Sequence, residues 1–301
     1  MKLVEILKEL KLSKELISLF KGEIPIIDKF SMFKFYINDT KTDSLPYPPF
    51  LIPFMYSYDA DHYHMGLIKH WFSDRELSYG DMTDATEFET TEIAKNERQL
   101  FTKLLFDEFV NNEDCVVTDR IIQCQELMGL SDLGFEFFKK INNRDTDSTS
   151  CDLPIFRENS PLNCLNFTDS YEGDFPSNNK FIVPRNIDSA SYFEISHKEW
   201  IGYYVGKRGF SFFKKEPKFK VLDNIPDWLK PETNKQELFE KYIGSGELDK
   251  AWFTINGPGF NPKEVGERLQ RLKEFSKEKA YHLWADFWCE RYGYMDSFIF
   301  I

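Results

Sequence analysis

The apolar residues of the chain are concentrated between Pro48 and Phe72, where aromatic and aliphatic side chains follow one another with few polar breaks. Several prolines near the start of this run exclude a helix and suit the entry of a strand or an edge. Turn-like residues at 59–61 and 73–76 divide the run, which predicts strands of a central antiparallel sheet. In residues 65–72 both alternate faces are largely apolar, so this strand is expected to be central and covered on both sides.

Apolar residues recur at helical spacing both before and after the predicted strands in the sequence. Leu3 to Phe20 predicts one or two short opening helices. A helix is predicted from about Ala94 to Val110, with a buried stripe of leucines and a phenylalanine. Residues 118–140 form a second helical region, which is expected to break at one of its glycines.

The last third of the chain is predicted to be helical from residue 234 to residue 291, with breaks at glycines. Asn261 followed by Pro262 predicts the start of the final helix, which is expected to bend near Ser276. Before this helical part, short strands are predicted at residues 192–195, 200–205, 210–213 and 218–222.

Residues 142–150 form a polar stretch without apolar periodicity, and they separate two parts of different charge. This composition predicts a linker. The chain is therefore expected to consist of one domain over residues 1–141 and another over residues 151–301. The predicted fold class is α+β: an aromatic-rich antiparallel sheet with flanking helices, followed by a second part with short strands and a helical C-terminus.

Net charge restricts the partners of the protein. The 301 residues include 38 Lys and Arg against 50 Asp and Glu, which gives a net charge of −12. Residues 1–150 contain 17 basic and 27 acidic residues, so they hold −10 of this excess. Nucleic acids and anionic membranes require cationic contacts, so neither is expected as a partner. An acidic surface suits a basic protein, or it serves solubility.

The five cysteines are odd in number, widely spaced and without a Cys-x-x-Cys pair. This pattern argues against a disulfide framework and against a closed zinc site. Glu5 falls too early for a secretory signal, and no apolar run approaches the roughly 18 residues of a membrane span. A reducing, cytoplasmic location is therefore expected.

Three of the five histidines, His62, His64 and His70, lie within the apolar run. On an extended strand they share one face, and Asp59 or Asp61 would add a carboxylate, which is the basis of a metal-site hypothesis. No His-Glu-x-x-His, phosphate-binding glycine loop or nucleophile elbow is present. Histidines packed within an aromatic sheet are the common case. No metal and no cofactor are therefore predicted.

An acid cluster follows the apolar run, since residues 81–97 contain six carboxylates and one lysine. Aromatic anchors beside an acidic rim combine contact area with electrostatic steering, as in many protein-binding surfaces. The alternative is a solvated loop whose acids favour the N-terminus of the next helix. The residues predicted to bind a partner are Asp81, Asp84, Glu87, Glu89, Glu92, Tyr56, Tyr58, Tyr63 and Trp71.

The order of elements over residues 1–145 resembles the SUKH superfamily of bacterial toxin-immunity and regulatory proteins. The resemblance rests on the opening helix Leu3–Phe20, the run Gly66–Phe72 in an aromatic sheet, and an acidic segment before the closing helix Glu97–Val110. The family's Leu-Pro-containing start and its Asn-Gly before the sheet are absent, and residues 151–301 lie outside the resemblance. The resemblance implies an α+β fold and an acidic face that binds a toxin, often a basic nuclease.

These patterns predict a non-enzymatic protein-binding protein. The resemblance to the SUKH superfamily implies that it is an immunity protein, which would neutralise a basic toxin by steric occlusion through an acidic, aromatic face. Two alternatives stay open. A hydrolase or metal-dependent enzyme would use the region of His62, His64 and His70, and it would show a concave pocket with converging polar groups. A regulatory scaffold would dock its partner through the C-terminal helices at residues 234–291. The sequence leaves the oligomeric state and the identity of the partner open.

Overall fold

A computed structural model describes twelve segments of the chain. They are residues 2–26, 33–35, 46–57, 64–83, 89–112, 115–142, 150–161, 202–205, 218–221, 226–230, 233–257 and 259–296. The predicted apolar run and the predicted C-terminal helices fall largely within these segments.

A five-stranded antiparallel sheet lies at the centre of the described structure. Its strands follow chain order as a meander, so each strand pairs with its neighbours in sequence. They are β1 (Phe33–Phe35), β2 (Leu51–Ser57), β3 (His64–Ile68), β4 (Ser78–Thr83) and β5 (Glu89–Ala94). All five residues of β3 are buried, as predicted for a central strand covered on both sides. The strand ends at Ile68, however, and residues 69–72 of the predicted strand belong to the following loop.

Gly66 allows β3 to approach β2 more closely than any other residue would. A Cβ atom at this position would lie 2.4 Å from the Ile52 carbonyl oxygen and 2.7 Å from the Pro53 Cα. The pairing register of β2 shifts between Pro53 and Met55, where proline cannot donate a hydrogen bond to the ladder. The proline-rich run therefore folds as an irregular strand that requires a glycine on its partner.

The N-terminal half contains helices α1 (Lys2–Glu9), α2 (Lys14–Phe20), α3 (Glu97–Asn111), α4 (Asp119–Leu127) and α5 (Glu136–Asn142). Helix α2 packs against β2 and α3 packs against β4 and β5, whereas α4 and α5 pack against α3. The predicted helix from Ala94 begins later because residues up to Ala94 continue the sheet and the Asn96 side chain caps the helix. The helical region 118–140 divides as predicted, near Gly129, whose φ is 66°.

Short elements occupy the described residues between the two halves. They are a 3-10 turn (Ser150–Asp152), helix α6 (Ile155–Glu158) and the paired antiparallel strands β6 (Gly202–Val205) and β7 (Lys218–Val221). The two strands agree with two of the four predicted ones. The other two, at 192–195 and 210–213, lie outside the described residues, as do residues 143–149 of the predicted linker.

The C-terminal part is helical, as predicted. Its helices are α7 (Lys235–Ser245), α8 (Leu248–Asn256), α9 (Pro262–Lys273) and α10 (Lys279–Tyr292). Asn261 starts α9 through a capping box, in which its side-chain oxygen accepts from the Glu264 N–H and the Glu264 carboxylate accepts from the Asn261 N–H, both at 2.9 Å. The predicted bend near Ser276 is a full break between α9 and α10. Among the described helices, none is long and apolar enough to cross a membrane.

The C-terminal helices and the N-terminal sheet share one hydrophobic core. The Trp284 indole N–H on α10 donates to the Pro49 carbonyl at 2.7 Å, and the Trp288 N–H donates to the Tyr47 carbonyl at 3.0 Å. Both tryptophans are fully buried. The predicted division into two separate domains is therefore not matched by the packing, because α10 covers the segment that leads into β2. The fold as a whole is α+β, as the sequence predicts.

The cysteines were predicted to be reduced, and one of them is not. Cys115, Cys124 and Cys289 are free thiols. Burial raises the pKa of Cys124 to about 11, and its thiol donates to the Pro25 carbonyl at 3.2 Å. Cys151 is disulfide-bonded, which corrects the expectation that the cysteines are reduced. Disulfides are rare in a reducing cytoplasm, so this bond is the observation that weighs against a cytoplasmic location.

Candidate functional site

A buried polar cluster forms where the loop between β3 and β4 meets β5 and α8. We call it the His70 junction, and its members are His70, Arg75, Glu92, Lys95 and Trp252. The loop places His70 and Arg75 in the interior, where the two residues are 1% and 4% exposed. Most polar groups that are buried at this depth in proteins are hydrogen-bonded or ion-paired.

Glu92 is the counter-ion at the centre of the His70 junction. Its carboxylate lies 3.3 Å from the Arg75 guanidinium and 2.8 Å from the Lys95 ammonium. The side chains of Arg75 and Glu92 are 1% and 0% exposed. Burial lowers the pKa of Arg75, and the Glu92 carboxylate opposes that shift. Glu92 thus neutralises a buried cation, and it contributes nothing to an acidic surface.

His70 accepts a hydrogen bond through one ring nitrogen and faces a cation with the other. The Trp252 indole N–H donates to His70 Nδ1 at 3.1 Å. Because indole can only donate, the proton of the neutral imidazole lies on Nε2. Arg75 Nη1 lies 3.4 Å from Nε2, which is a contact between two donors. Burial, followed by the charges of Arg75 and Lys69, lowers the pKa of His70 well below its usual value.

Aromatic rings enclose the His70 junction. The His70 ring lies 5.1 Å from the Phe50 ring and 5.0 Å from the Phe253 ring, measured between centroids. Phe72, two residues further along the loop, meets Tyr281 of α10 edge-on at 4.9 Å. The loop is thereby held between β2 and the C-terminal helices, and the junction serves to join the two halves of the chain.

Acid is expected to weaken the native state through His70. The native ring takes up a second proton only if the Trp252 hydrogen bond breaks beside the Arg75 charge, whereas histidine in the unfolded chain binds it at a pKa of about 6.5. The unfolded state then binds more protons, so the free energy of unfolding falls as the pH falls below about 6.5, by up to about 1.4 kcal/mol per pH unit. Urea unfolding at a series of pH values measures this slope.

The variant His70→Asn isolates the contribution of the ring to this slope. Asparagine keeps an oxygen that can accept from Trp252, but it does not titrate. Subtracting the slope of the variant from that of the wild type removes the contribution of the titratable groups that both proteins share. The variant should be less sensitive to acid between about pH 6.5 and pH 5. Identical slopes would mean that His70 binds its proton in the native state.

The structure does not bring the three histidines together as metal ligands. His70 Nδ1 accepts from Trp252, and Nε2 faces the Arg75 guanidinium. His64 is buried in β3, with its ring 5.6 Å from that of Tyr47. His62 lies outside the described residues. In the part of the chain that the structure describes, no group of three or more His, Cys, Asp or Glu side chains is placed to hold a metal.

The predicted acid cluster of residues 81–97 does not form a single surface. Glu92 points into the His70 junction, and Glu97 accepts a hydrogen bond from the Ser13 hydroxyl at the start of α2. Asp81 is partly exposed on β4, and Glu89 lies on β5. The remaining predicted acids, Asp84 and Glu87, lie outside the described residues.

The described aromatic residues that were predicted to contact a partner belong to the core. Tyr56 is 1% exposed and Trp71 is 6% exposed. The Trp71 ring packs 5.5 Å from that of Tyr281, because the loop after β3 turns inward onto α10. Neither residue is available as contact area, which corrects their assignment to a binding surface. Tyr58 and Tyr63 lie outside the described residues.

Aromatic residues on the apolar faces of the C-terminal helices also belong to the core. Trp252, Tyr281, Trp284 and Trp288 are all fully buried against the N-terminal half. These four aromatic residues of the C-terminal helices are therefore part of the core. Trp252 also has a role in the His70 junction that the sequence did not indicate, since an indole on a helical apolar face is usual core material.

Comparison with known proteins adds no relative, since the chain matches no protein-family model, no curated protein and no solved structure. The resemblance to the SUKH superfamily accordingly stays a prediction. Assignment of a function depends on the charges and surfaces of the chain itself.

Proposed function

We propose that this chain is a non-enzymatic binding protein that captures a basic protein and blocks it by steric occlusion, as an immunity protein does. The observation that carries the proposal is the charge of residues 1–150, which contain 27 acidic and 17 basic residues. A field of this sign speeds the encounter with a cationic partner. The SUKH-like order of elements supports a basic toxin as that partner.

The exposed acids of the N-terminal half support this proposal. Asp74 and Glu76 flank Arg75 on the loop after β3, and both side chains are exposed. Asp119 and Glu126 are exposed on α4. Within the described residues none of these four carboxylates makes an ion pair, so their charge acts on the solvent side. The His70 junction, in contrast, joins the halves of the fold.

A pull-down tests the proposed function. The purified protein should capture one basic protein from a lysate of its source at low salt and release it at high salt. Adding the chain to the captured protein should then inhibit the activity of that protein. Replacing Asp74, Glu76, Asp119 and Glu126 together by lysine should lower capture by about tenfold, because steering is reversed.

The matched control for this experiment reverses four exposed acids of the C-terminal part, and it should leave capture unchanged. Its substitutions are Glu237→Lys, Glu240→Lys, Glu278→Lys and Asp296→Lys. Captured protein that is neither basic nor inhibited would contradict the proposal, as would capture that is insensitive to salt. Absence of any captured protein at low salt would contradict it as well.

A further inference from the structure

The sequence contains one Asn-Gly pair, Asn256-Gly257, which lies at the C-terminal end of α8. Asn256 is the last residue of the helix and is fully buried, and Gly257 is buried as well. Asparagines that are exposed, such as Asn96 and Asn234, are followed by larger residues. The chain thus places its one Asn-Gly pair in the core.

An Asn-Gly pair can modify itself in water. The main-chain nitrogen of the glycine attacks the side-chain amide carbon of the asparagine, and the absence of a Cβ on glycine leaves this approach unobstructed. A bond forms between Gly257 N and Asn256 Cγ, the bond from Cγ to Nδ2 breaks, and Nδ2 leaves as ammonia with the proton from Gly257. Water then opens the succinimide ring to aspartate or isoaspartate. The outcome is deamidation, which replaces a neutral amide by a carboxylate.

The native fold holds the asparagine amide at both ends. Asn256 Oδ1 accepts a hydrogen bond from the Phe50 N–H at 3.0 Å, and Asn256 Nδ2 donates to the Trp252 carbonyl at 2.8 Å. All three residues are fully buried. The amide carbon cannot turn toward the glycine nitrogen unless these bonds break. Breaking them is costly because the amide has no contact with solvent that could replace them.

The glycine nitrogen is engaged as well. The Gly257 N–H donates to the Thr254 carbonyl at 3.3 Å in the last turn of α8. This nitrogen becomes a nucleophile only when a base removes its proton, and burial of the residue restricts the access of solvent base. Both reacting groups are therefore held in other interactions until α8 separates from the segment that carries Phe50.

The product of deamidation does not fit the site that the amide occupies. An aspartate at position 256 can accept from the Phe50 N–H, but it has no N–H for the Trp252 carbonyl and it buries a charge. Isoaspartate adds a methylene group to the main chain just before Gly257. Space is limited there, since even a Cβ on Gly257 would lie 3.1 Å from the Trp228 carbonyl oxygen.

The hydrogen bond between Phe50 and Asn256 joins the two halves of the chain. The two residues are 206 positions apart, one in the segment that leads into β2 and the other at the end of α8. The Phe50 ring also lies 5.1 Å from the ring of His70. A chain that has lost the Asn256 amide therefore lacks a buried contact at the place where the halves meet.

We propose that Asn256 and Gly257 form a deamidation site that native packing protects and that becomes reactive whenever the two halves of the chain separate. Deamidation then leaves a permanent covalent change and weakens the contact between the halves. Prolonged separation lowers the stability of a population of molecules in a way that refolding does not reverse. This inference is independent of the proposed function.

Peptide mapping by mass spectrometry tests the protection on the wild-type protein. Samples are incubated at one pH and temperature in native buffer and in guanidinium chloride, and deamidation at Asn256 is followed over time. The rate should be at least about a hundredfold lower in native buffer, because the reactive form is a minor population there. Equal rates in the two samples would overturn the protection, and absence of deamidation in denaturant would overturn the site itself.

The deamidated protein tests the effect on the contact between the halves. Its additional negative charge allows it to be separated from the unmodified chain by ion exchange after refolding. Its equilibrium constant for unfolding should be at least about tenfold larger than that of the unmodified protein, because the Trp252 carbonyl has lost its donor. An equal constant would overturn the destabilisation.

The variant Asn256→Asp reproduces one product without chemical treatment and should shift the unfolding constant in the same direction. Asn234→Asp is the matched control, because Asn234 is an exposed N-cap whose oxygen accepts from the N–H groups of Gln236 and Glu237. Asparagine and aspartate are similar as N-caps, so this control should unfold like the wild type. Equal stability of the two variants would contradict the proposal. If Asn256→Asp does not fold, the comparison of rates in buffer and denaturant still decides whether packing protects the site.

Discussion

Replacing Arg75 by methionine is expected to lower the free energy of unfolding by about 3–5 kcal/mol, the cost of breaking a buried ion pair. Methionine retains much of the length of the side chain but leaves the Glu92 carboxylate, which is fully buried, with Lys95 as its charged partner. An incompletely compensated charge in the interior is costly because it has lost its hydration. Urea unfolding followed by tryptophan fluorescence measures the change.

The matched control is Arg98→Met. Arg98 and Asp132 form a shorter ion pair than Arg75 and Glu92, 2.7 Å against 3.3 Å, but their side chains are 48% and 68% exposed. Exposed pairs contribute about 0–1 kcal/mol, since water screens them. Burial, rather than distance, should therefore decide which substitution is severe. Equal losses in the two variants would show that the His70 junction is hydrated.

Replacing Trp284 by alanine is expected to cost about 3–5 kcal/mol, the range for truncating a buried tryptophan. The indole is fully buried, stacks on Tyr47 with centroids 6.1 Å apart, and donates to the Pro49 carbonyl. Its loss removes contacts from both halves of the chain. Hydrogen exchange should show lower protection in α10 and also in β2 and β3, because the two regions share one core.

Comparing hydrogen-exchange protection in α10 with protection in β2 and β3 tests whether the chain forms one cooperative unit or two domains. Two independent domains would confine the loss of protection to α10 and leave β2 and β3 at their wild-type values. Phe275→Ala is the matched control, because Phe275 is an aromatic residue of the C-terminal part that is 42% exposed. It should change stability by less than about 0.5 kcal/mol.

Features that depend on neighbours in the chain were predictable. The α+β class, the buried strand through Gly66, and the start of a helix at Asn261 follow from apolar periodicity, glycine and proline positions and capping residues. Strand β5 was not predictable in this way. Its sequence includes Glu89 and Glu92 and is typical of a solvated acidic segment, yet pairing with β4 makes it a strand.

Local patterns along the chain are sufficient to predict an acidic first half, an aromatic antiparallel sheet and capped helices near the end. The position of each charged and aromatic side chain depends instead on how distant segments pack together. The buried Glu92 carboxylate pairs with Arg75, which lies 17 residues away in sequence. His70 accepts a hydrogen bond from Trp252, which lies 182 residues away. Apolar periodicity and helix capping involve residues that are only one or two helical turns apart. The partner of a buried polar group depends instead on which distant segments of the chain pack against each other.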